Sequence, residues 1–315
     1  MRIVIIGAGG TGGYFGGLLA RAGEDVTFLA RGTQLEALRT RGLTVKSRLA
    51  GTFSLPVHAT NDPQEIGAVD LVLFCVKTYD TRAASEGLHL LIGPETVVLP
   101  IQNGIDAAER LSGEVGGQHL VGGVAYVTSQ IESPGVIAQI AGSGSIELGE
   151  LAGGQSERTQ RVQQVLRHAG ISAELPDDIR VTLWEKFLLI CAFSGVTALT
   201  RLPLGQVFAY QETSALLKAV MKEGEVLARA RGIALPDGIV ERSYATLKAL
   251  EPEAMGSMAF DLLAGRRLEI EALNGTMVRL GKEQSMFLPF NYAIYAALKP
   301  YTDRAPRVNG GLSSR

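Results

Sequence analysis

The sequence predicts an α/β chain in two parts, a parallel sheet covered by helices and then helices alone, and three observations carry that prediction. Apolar, β-branched runs recur at Ile3 to Ile6, Val69 to Val76 with Asp70 its one charge, and Thr96 to Ile101, as strands buried on both faces require. The first run opens into Gly7-x-Gly9-x-x-Gly12 and then into a helix-forming stretch. Past Pro176-Asp177-Asp178 the strand patterns stop and helical spacing takes over. The parts are expected at residues 1–177 and 178–315, the first a Rossmann-type dinucleotide-binding domain and the second all-helical.

Each glycine of the opening motif has its own task. Gly7 permits a tight turn, Gly9 lets backbone approach a pyrophosphate, and Gly12 lets the helix close on the strand. Gly10 and Thr11 begin that helix, so their amides face the anion. The second strand, Asp25 to Leu29, ends at Ala30-Arg31-Gly32, about 20 residues on, where an NAD enzyme places an acid against the ribose 2′-hydroxyl. No acid stands there. Arg31 offers a guanidinium fork to a 2′-phosphate, which points to NADPH/NADP+. The alternative is that Arg31 is solvated and the acid lies elsewhere.

The chain's 315 residues suffice for two domains, and a content of 46% hydrophobic and 20% charged residues is that of a globular protein. Thirty basic against 32 acidic residues, with no basic stripe, argue against nucleic acid and anionic membrane as partners. A small molecule fits better. The N-terminus has no signal-peptide pattern, and the longest apolar run, Phe187 to Leu199, is too short to span a bilayer, so the cytoplasm is expected. Cys75 and Cys191 lie far apart in apolar segments and read as reduced, packed thiols. The oligomeric state is open, with a homodimer among the assemblies allowed.

Along the first domain, Gln34 to Thr40 reads as a short helix, and Leu43 to Val45 with Phe53 to Val57 reads as a hairpin insertion. Asp62-Pro63 starts a brief helix, and Val69 to Val76 ends at Lys77. Ligands sit beyond the carboxyl ends of parallel strands, so Lys77 meets cofactor or substrate unless it is a plain surface lysine. Gln102-Asn103-Gly104 is first a turn signal; at the same sheet edge Asn103 can also orient a nicotinamide or a substrate hydroxyl. Three stretches between Leu120 and Leu148, parted by Ser133-Pro134-Gly135 and Ala141 to Gly144, are expected to extend the sheet as antiparallel strands. Ser156 caps a helix reaching Ala169, and Ile171 to Leu175 closes the domain. The second domain should hold helices at Ile179 to Thr200, Gly205 to Ala230, Asp237 to Leu250, Arg267 to Gly281 and Asn291 to Lys299.

Lys186 is unusual in its apolar helix. It shares one face with Ile190, Ser194 and Thr197. A lysine there either snorkels to water or, facing a cofactor, donates a proton to a ketone oxygen as hydride arrives.

Together the glycine motif with Arg31, Lys77, Gln102-Asn103-Gly104, Trp184-x-Lys186, Gly256-Ser257-Met258-x-x-Asp261 and Arg266-Arg267-x-Glu269-Ile270-Glu271-x-Leu273-Asn274-Gly275 resemble ketopantoate reductase. The resemblance covers nearly the whole chain and implies NADPH-dependent reduction of 2-dehydropantoate to pantoate, in pantothenate biosynthesis. It implies Lys186 as general acid and Glu269 as support for that lysine or for a substrate hydroxyl. It also implies Ser257 on the substrate carboxylate, Asn103 near nicotinamide and substrate, and Lys77 near the cofactor. Without it, Glu269 reads as a solvated helix residue beside Arg266, and Ser257 as a helix cap. Where the family carries substrate-contacting asparagines, this chain has Ile190, Ser194 and Ala254. That leaves open a reductase of another small 2-keto acid, or a sensor that binds NADP(H) without turnover.

Overall fold

The structure, a computed structural model, describes residues 1–302 and forms two compact units, residues 1–183 and the residues from Trp184 onward. The first unit runs β1 (Arg2–Ile6), α1 (Gly10–Arg21), β2 (Asp25–Leu29), α2 (Gly32–Arg41), β3 (Leu43–Ser47), β4 (Gly51–Leu55), β5 (His58–Thr60) and β6 (Val69–Phe74). It continues through α3 (Thr81–Ser85), β7 (Ile92–Pro100), α4 (Ala107–Val115), β8 (Gly122–Ser133), β9 (Val136–Gly149), α5 (Glu157–His168) and β10 (Ala173–Glu174).

Five parallel strands form one sheet in the order β5-β2-β1-β6-β7. Side chains alternate across it. Ile3, Ile5, Leu71 and Leu73 enter the core that holds Phe15 and Phe28. Val4, Ile6, Val72 and Phe74 enter the core on the other face. With both faces covered, the buried stretches 3–6 of β1 and 71–74 of β6 are continuously apolar. The chain winds outward from β1 to β5, then crosses back to β6, so connections diverge between β1 and β6. At such a switch point the carboxyl ends of the strands leave a crevice for a ligand.

The strands between residues 120 and 149 do not extend that sheet. They build a second one, β10-β9-β3-β4 with β8 on β9. The hairpin β3–β4 belongs to it too, because β3 pairs in parallel with β9 from Thr44 opposite Val136 to Lys46 opposite Ala138. Ala141 to Gly144, expected as a break, lies inside β9: Gly142 at φ +86° and Gly144 at φ +68° absorb irregular backbone while the register against β8 shifts at Thr128. Small residues with positive φ make a bulge here rather than an end.

The second unit takes in most of α6 (Ile179–Thr200), then α7 (Leu204–Ala209), α8 (Gln211–Ala230), α9 (Ile239–Lys248), α10 (Ser257–Leu263), α11 (Thr276–Glu283) and α12 (Pro289–Leu298). Alpha6 is long and apolar enough to cross a membrane, but 61% of its most apolar stretch is buried within the protein, as in a core helix. The helix expected from Gly205 to Ala230 is two, because Tyr210 is extended (φ −110°, ψ +131°) and parts α7 from α8. The helix expected from Arg267 to Gly281 is broken as well. A π turn at Glu271–Gly275, kinked at Leu273, precedes α11, and α10 is the short helix at whose start Ser257 stands.

Candidate active site

In the first unit the glycine turn joins β1 to α1 at the switch point. Gly7 has φ +95°, and a Cβ there would lie 2.9 Å from the Val76 nitrogen, so glycine alone fits. At Gly12 a Cβ would lie 2.2 Å from the Gly7 carbonyl oxygen, which is the close helix-to-strand contact the motif predicts. Gly10 is excluded from carrying a side chain by Ser129 of β8, whose oxygen would lie 2.2 Å from its Cβ. Gly9 differs, because a Cβ there meets nothing within 4 Å. Its bareness serves no packing within the protein and leaves open space that a pyrophosphate can enter. No side chain caps α1 at Gly9, and its first turn holds no acid, so its amides suit an anion. The residues present therefore fit a dinucleotide.

Arg31 follows β2 as expected, exposed, with one long bond from Nη2 to the Ala83 carbonyl at 3.3 Å. No acidic residue lies between Leu29 and Gln34. Half-buried Lys77 and Asn103 follow β6 and β7, the strands on the far side of the switch point. Gly104, at φ +100°, makes the turn reading of Asn103-Gly104 real. Two glutamines brace this edge, Gln34 outside any motif and Gln102 at the head of the Gln102-Asn103-Gly104 turn. Gln34 Nε2 donates to the Ala8 carbonyl at 2.8 Å while its Oε1 accepts from Gly135 N at 3.0 Å. Gln102 Nε2 donates to the Val76 carbonyl at 2.8 Å and to Thr81 Oγ1 at 2.9 Å, tying the end of β7 to the end of β6.

In the second unit α6 buries Trp184, Phe187, Leu188 and Cys191, with Trp184 and Phe187 edge to face at 5.6 Å. Packing that face fixes the rotation of the helix and hence the direction of Lys186. Lys186 is half-buried, and burial pushes its pKa down to about 8, with the nearby Glu269 carboxylate acting in the opposite direction. Glu269 is itself buried, so it is not the solvated helix residue that one sequence reading allowed; Arg266 pairs instead with Asp261 at 2.7 Å. Ser257 is exposed at the first position of α10, while the cap position belongs to Gly256 and no side chain bonds there, which removes the helix-cap reading. Ser194 is 4% exposed, because the Gly256 backbone lies directly on it: a Cβ at Gly256 would fall 2.4 Å from Ser194 Cα. Ile190 and Ala254 are half-buried. The second unit thus brings a lysine of lowered pKa next to a buried carboxylate, a pair able to protonate a carbonyl oxygen.

A family model described as ketopantoate reductase PanE/ApbA matches residues 3–153, and its C-terminal counterpart matches residues 178–302. The chain belongs to the ketopantoate reductase family. It is accordingly an oxidoreductase, and NADP(H) is the cofactor of this family. A 2-dehydropantoate 2-reductase of Mesorhizobium japonicum is 31% identical over 303 residues, covering 90% of this chain and 92% of the relative. The crystal structure of 2-dehydropantoate 2-reductase from Geobacter metallireducens is 34% identical with a TM-score of 0.89, covering 96% of this chain and all of that one. D-mandelate dehydrogenase with NADH shares the fold at 22% identity and a TM-score of 0.87, over 96% of this chain and 99% of that one.

Proposed function

We propose that this protein reduces 2-dehydropantoate to pantoate in the cytoplasm, with Lys186 as the general acid. The observation that carries the reading is Lys186 itself, a half-buried lysine whose pKa is brought to about 8 next to a buried glutamate, in a chain matched by the family model through both halves. When bound, NADPH supplies the hydride. Gly9 and the first amides of α1 hold its pyrophosphate, Arg31 its 2′-phosphate, and Lys77 and Asn103 the region nearer the nicotinamide. Nζ of Lys186 hydrogen-bonds the ketone oxygen and passes it a proton, and Glu269 keeps that nitrogen charged until it does. Ser257 Oγ donates to the substrate carboxylate.

A related 2-keto acid is the second reading, favoured by the apolar side chains of Ile190 and Ala254. One experiment covers both. Purified protein is given NADPH and a panel of 2-keto acids, and NADPH oxidation is followed; turnover should be fastest with 2-dehydropantoate. Faster turnover of another acid selects the second reading. NADPH binding with no turnover of any acid sinks both.

A further inference from the structure

We infer that Thr197 is a positioning residue for the keto-acid site, holding Ser257 in place through the backbone of Gly256. The inference rests on the proposed role of Ser257.

Thr197 is fully buried on the face of α6 that carries Lys186. Its hydroxyl donates to the Phe193 carbonyl one turn back, at 2.7 Å. That bond uses its single proton and turns a lone pair outward, where Oγ1 accepts from the Gly256 amide at 3.1 Å. A threonine bonded back into its own helix is common enough. Reaching a second segment with the remaining lone pair is the informative part.

Gly256 immediately precedes Ser257, and the approach is as close as the backbone allows. With Ser194 Cα and Oγ at 2.4 and 2.5 Å from where a Cβ would stand, only glycine at 256 and a small side chain at 194 permit it. Before Gly256, Leu204 N donates to the Ala254 carbonyl at 2.9 Å, and after it α10 begins, with Ala259 N donating back to the Gly256 carbonyl at 3.0 Å. Between the Leu204 tether and α10, the Thr197 hydroxyl sets how far Gly256, and so Ser257, stands from α6. Lys186 and the carrier of Ser257 are then referred to one rigid helix, which is how the two ends of a small acid come to be held in fixed relation.

The test is Thr197→Val, which keeps the shape and removes both bonds, beside Thr197→Ser, which keeps the hydroxyl. Steady-state kinetics with 2-dehydropantoate, NADPH titration and thermal melts are measured on both, on Ser257→Ala and on the Thr197→Val/Ser257→Ala double variant. Thr197→Val should raise KM for the keto acid by about tenfold to a hundredfold, the scale on which small misplacements act, while kcat and NADPH affinity change little. Thr197→Ser should restore KM, and the double variant should be no worse than Ser257→Ala alone. If Thr197→Val does not fold, Thr197→Ala gives the same reading. A raised KM in Ser257→Ala with an unchanged KM in Thr197→Val, or additive effects in the double variant, overturns the inference while leaving the Ser257 reading intact. An unchanged KM in Ser257→Ala overturns both.

Discussion

The glycine turn at the start of the chain and the Lys186 face of α6 are both proposed to meet reactants, yet they are specified in opposite ways. The turn is a set of backbone demands. Gly7 needs positive φ, Gly10 and Gly12 need the space a Cβ would fill, and Gly9 needs only to stay bare. Neighbouring residues state those demands outright. On α6 the chemistry is made by side chains brought from elsewhere in the second unit, the Glu269 carboxylate beside Lys186 and the Gly256 backbone on Ser194. Residue types there announce a possibility, and packing alone decides it.

The strongest way to break the comparison is Lys186→Ala. Removing the proton donor should lower kcat by about 10²- to 10⁴-fold while NADPH still binds, since the turn is untouched. Near-normal kcat would show that this face is not at the reacting centre. The pH profile sharpens the point. An acid must be protonated to act, so with a pKa of about 8 reduction should fall as pH rises through about 8. The Glu269 carboxylate raises that pKa, so in Glu269→Gln the fall should begin at lower pH. A profile identical to wild type in Glu269→Gln would separate the two residues.

Next in size are two neighbouring glycines that should fail differently. Gly10→Ala drives a methyl into the Ser129 backbone and should destabilise the fold by about 1–3 kcal/mol, visible as a lower Tm. Gly9→Ala has room within the protein, so its Tm should hold while NADPH affinity drops. Normal NADPH binding in Gly9→Ala would mean that the pyrophosphate lies elsewhere.

The same division explains what was legible in the sequence. The bounds of β2 and α6 and the Ser156 cap, which accepts from Thr159 N, follow from local pattern, and the structure has them as read. The second sheet is not legible in the sequence because β3 meets β9 in parallel from far along the chain, and such pairing leaves no trace in either strand. Tyr210 parts α7 from α8 with no proline or glycine to mark it. The π turn after Glu269 was hidden as well. Asn274 within it donates to the Cys191 carbonyl of α6 at 3.3 Å and to Asn291 Oδ1 at 2.9 Å, so tertiary hydrogen bonds hold backbone that its sequence would let run as plain helix. In the site, the type and number of Lys186 were readable, whereas Gln34, Gln102 and the tether from Thr197 depend on partners that only folding supplies.

Cofactor choice tests the turn's side of the comparison at a smaller scale. If Arg31 pairs with the 2′-phosphate, Arg31→Ala should weaken NADPH by about 1.5–3 kcal/mol, the range of a charge-assisted bond, and barely alter NADH. The guanidinium gives up little in doing so, since its present bond to Ala83 is a long 3.3 Å. Equal losses for both cofactors would assign Arg31 to the surface.

The smallest effect concerns the substrate side, where this chain departs from the family's asparagines. Ser194 is a poor place to restore one, because its side chain is pressed against Gly256 and an amide there would push Ser257 away. Ile190, half-buried one turn after Lys186, is the better position. An apolar wall discriminates weakly between 2-dehydropantoate and 2-ketoisovalerate, which lacks the hydroxymethyl group, whereas a buried amide left unpaired by the analogue rejects it. Ile190→Asn should therefore raise the kcat/KM ratio of 2-dehydropantoate over 2-ketoisovalerate by about tenfold if about 1.4 kcal/mol of hydrogen bonding is gained in the transition state. Lys186→Ala should depress both acids together, because proton transfer is common to them. A ratio unmoved by Ile190→Asn would place this side chain away from the substrate and leave the choice of acid to other residues.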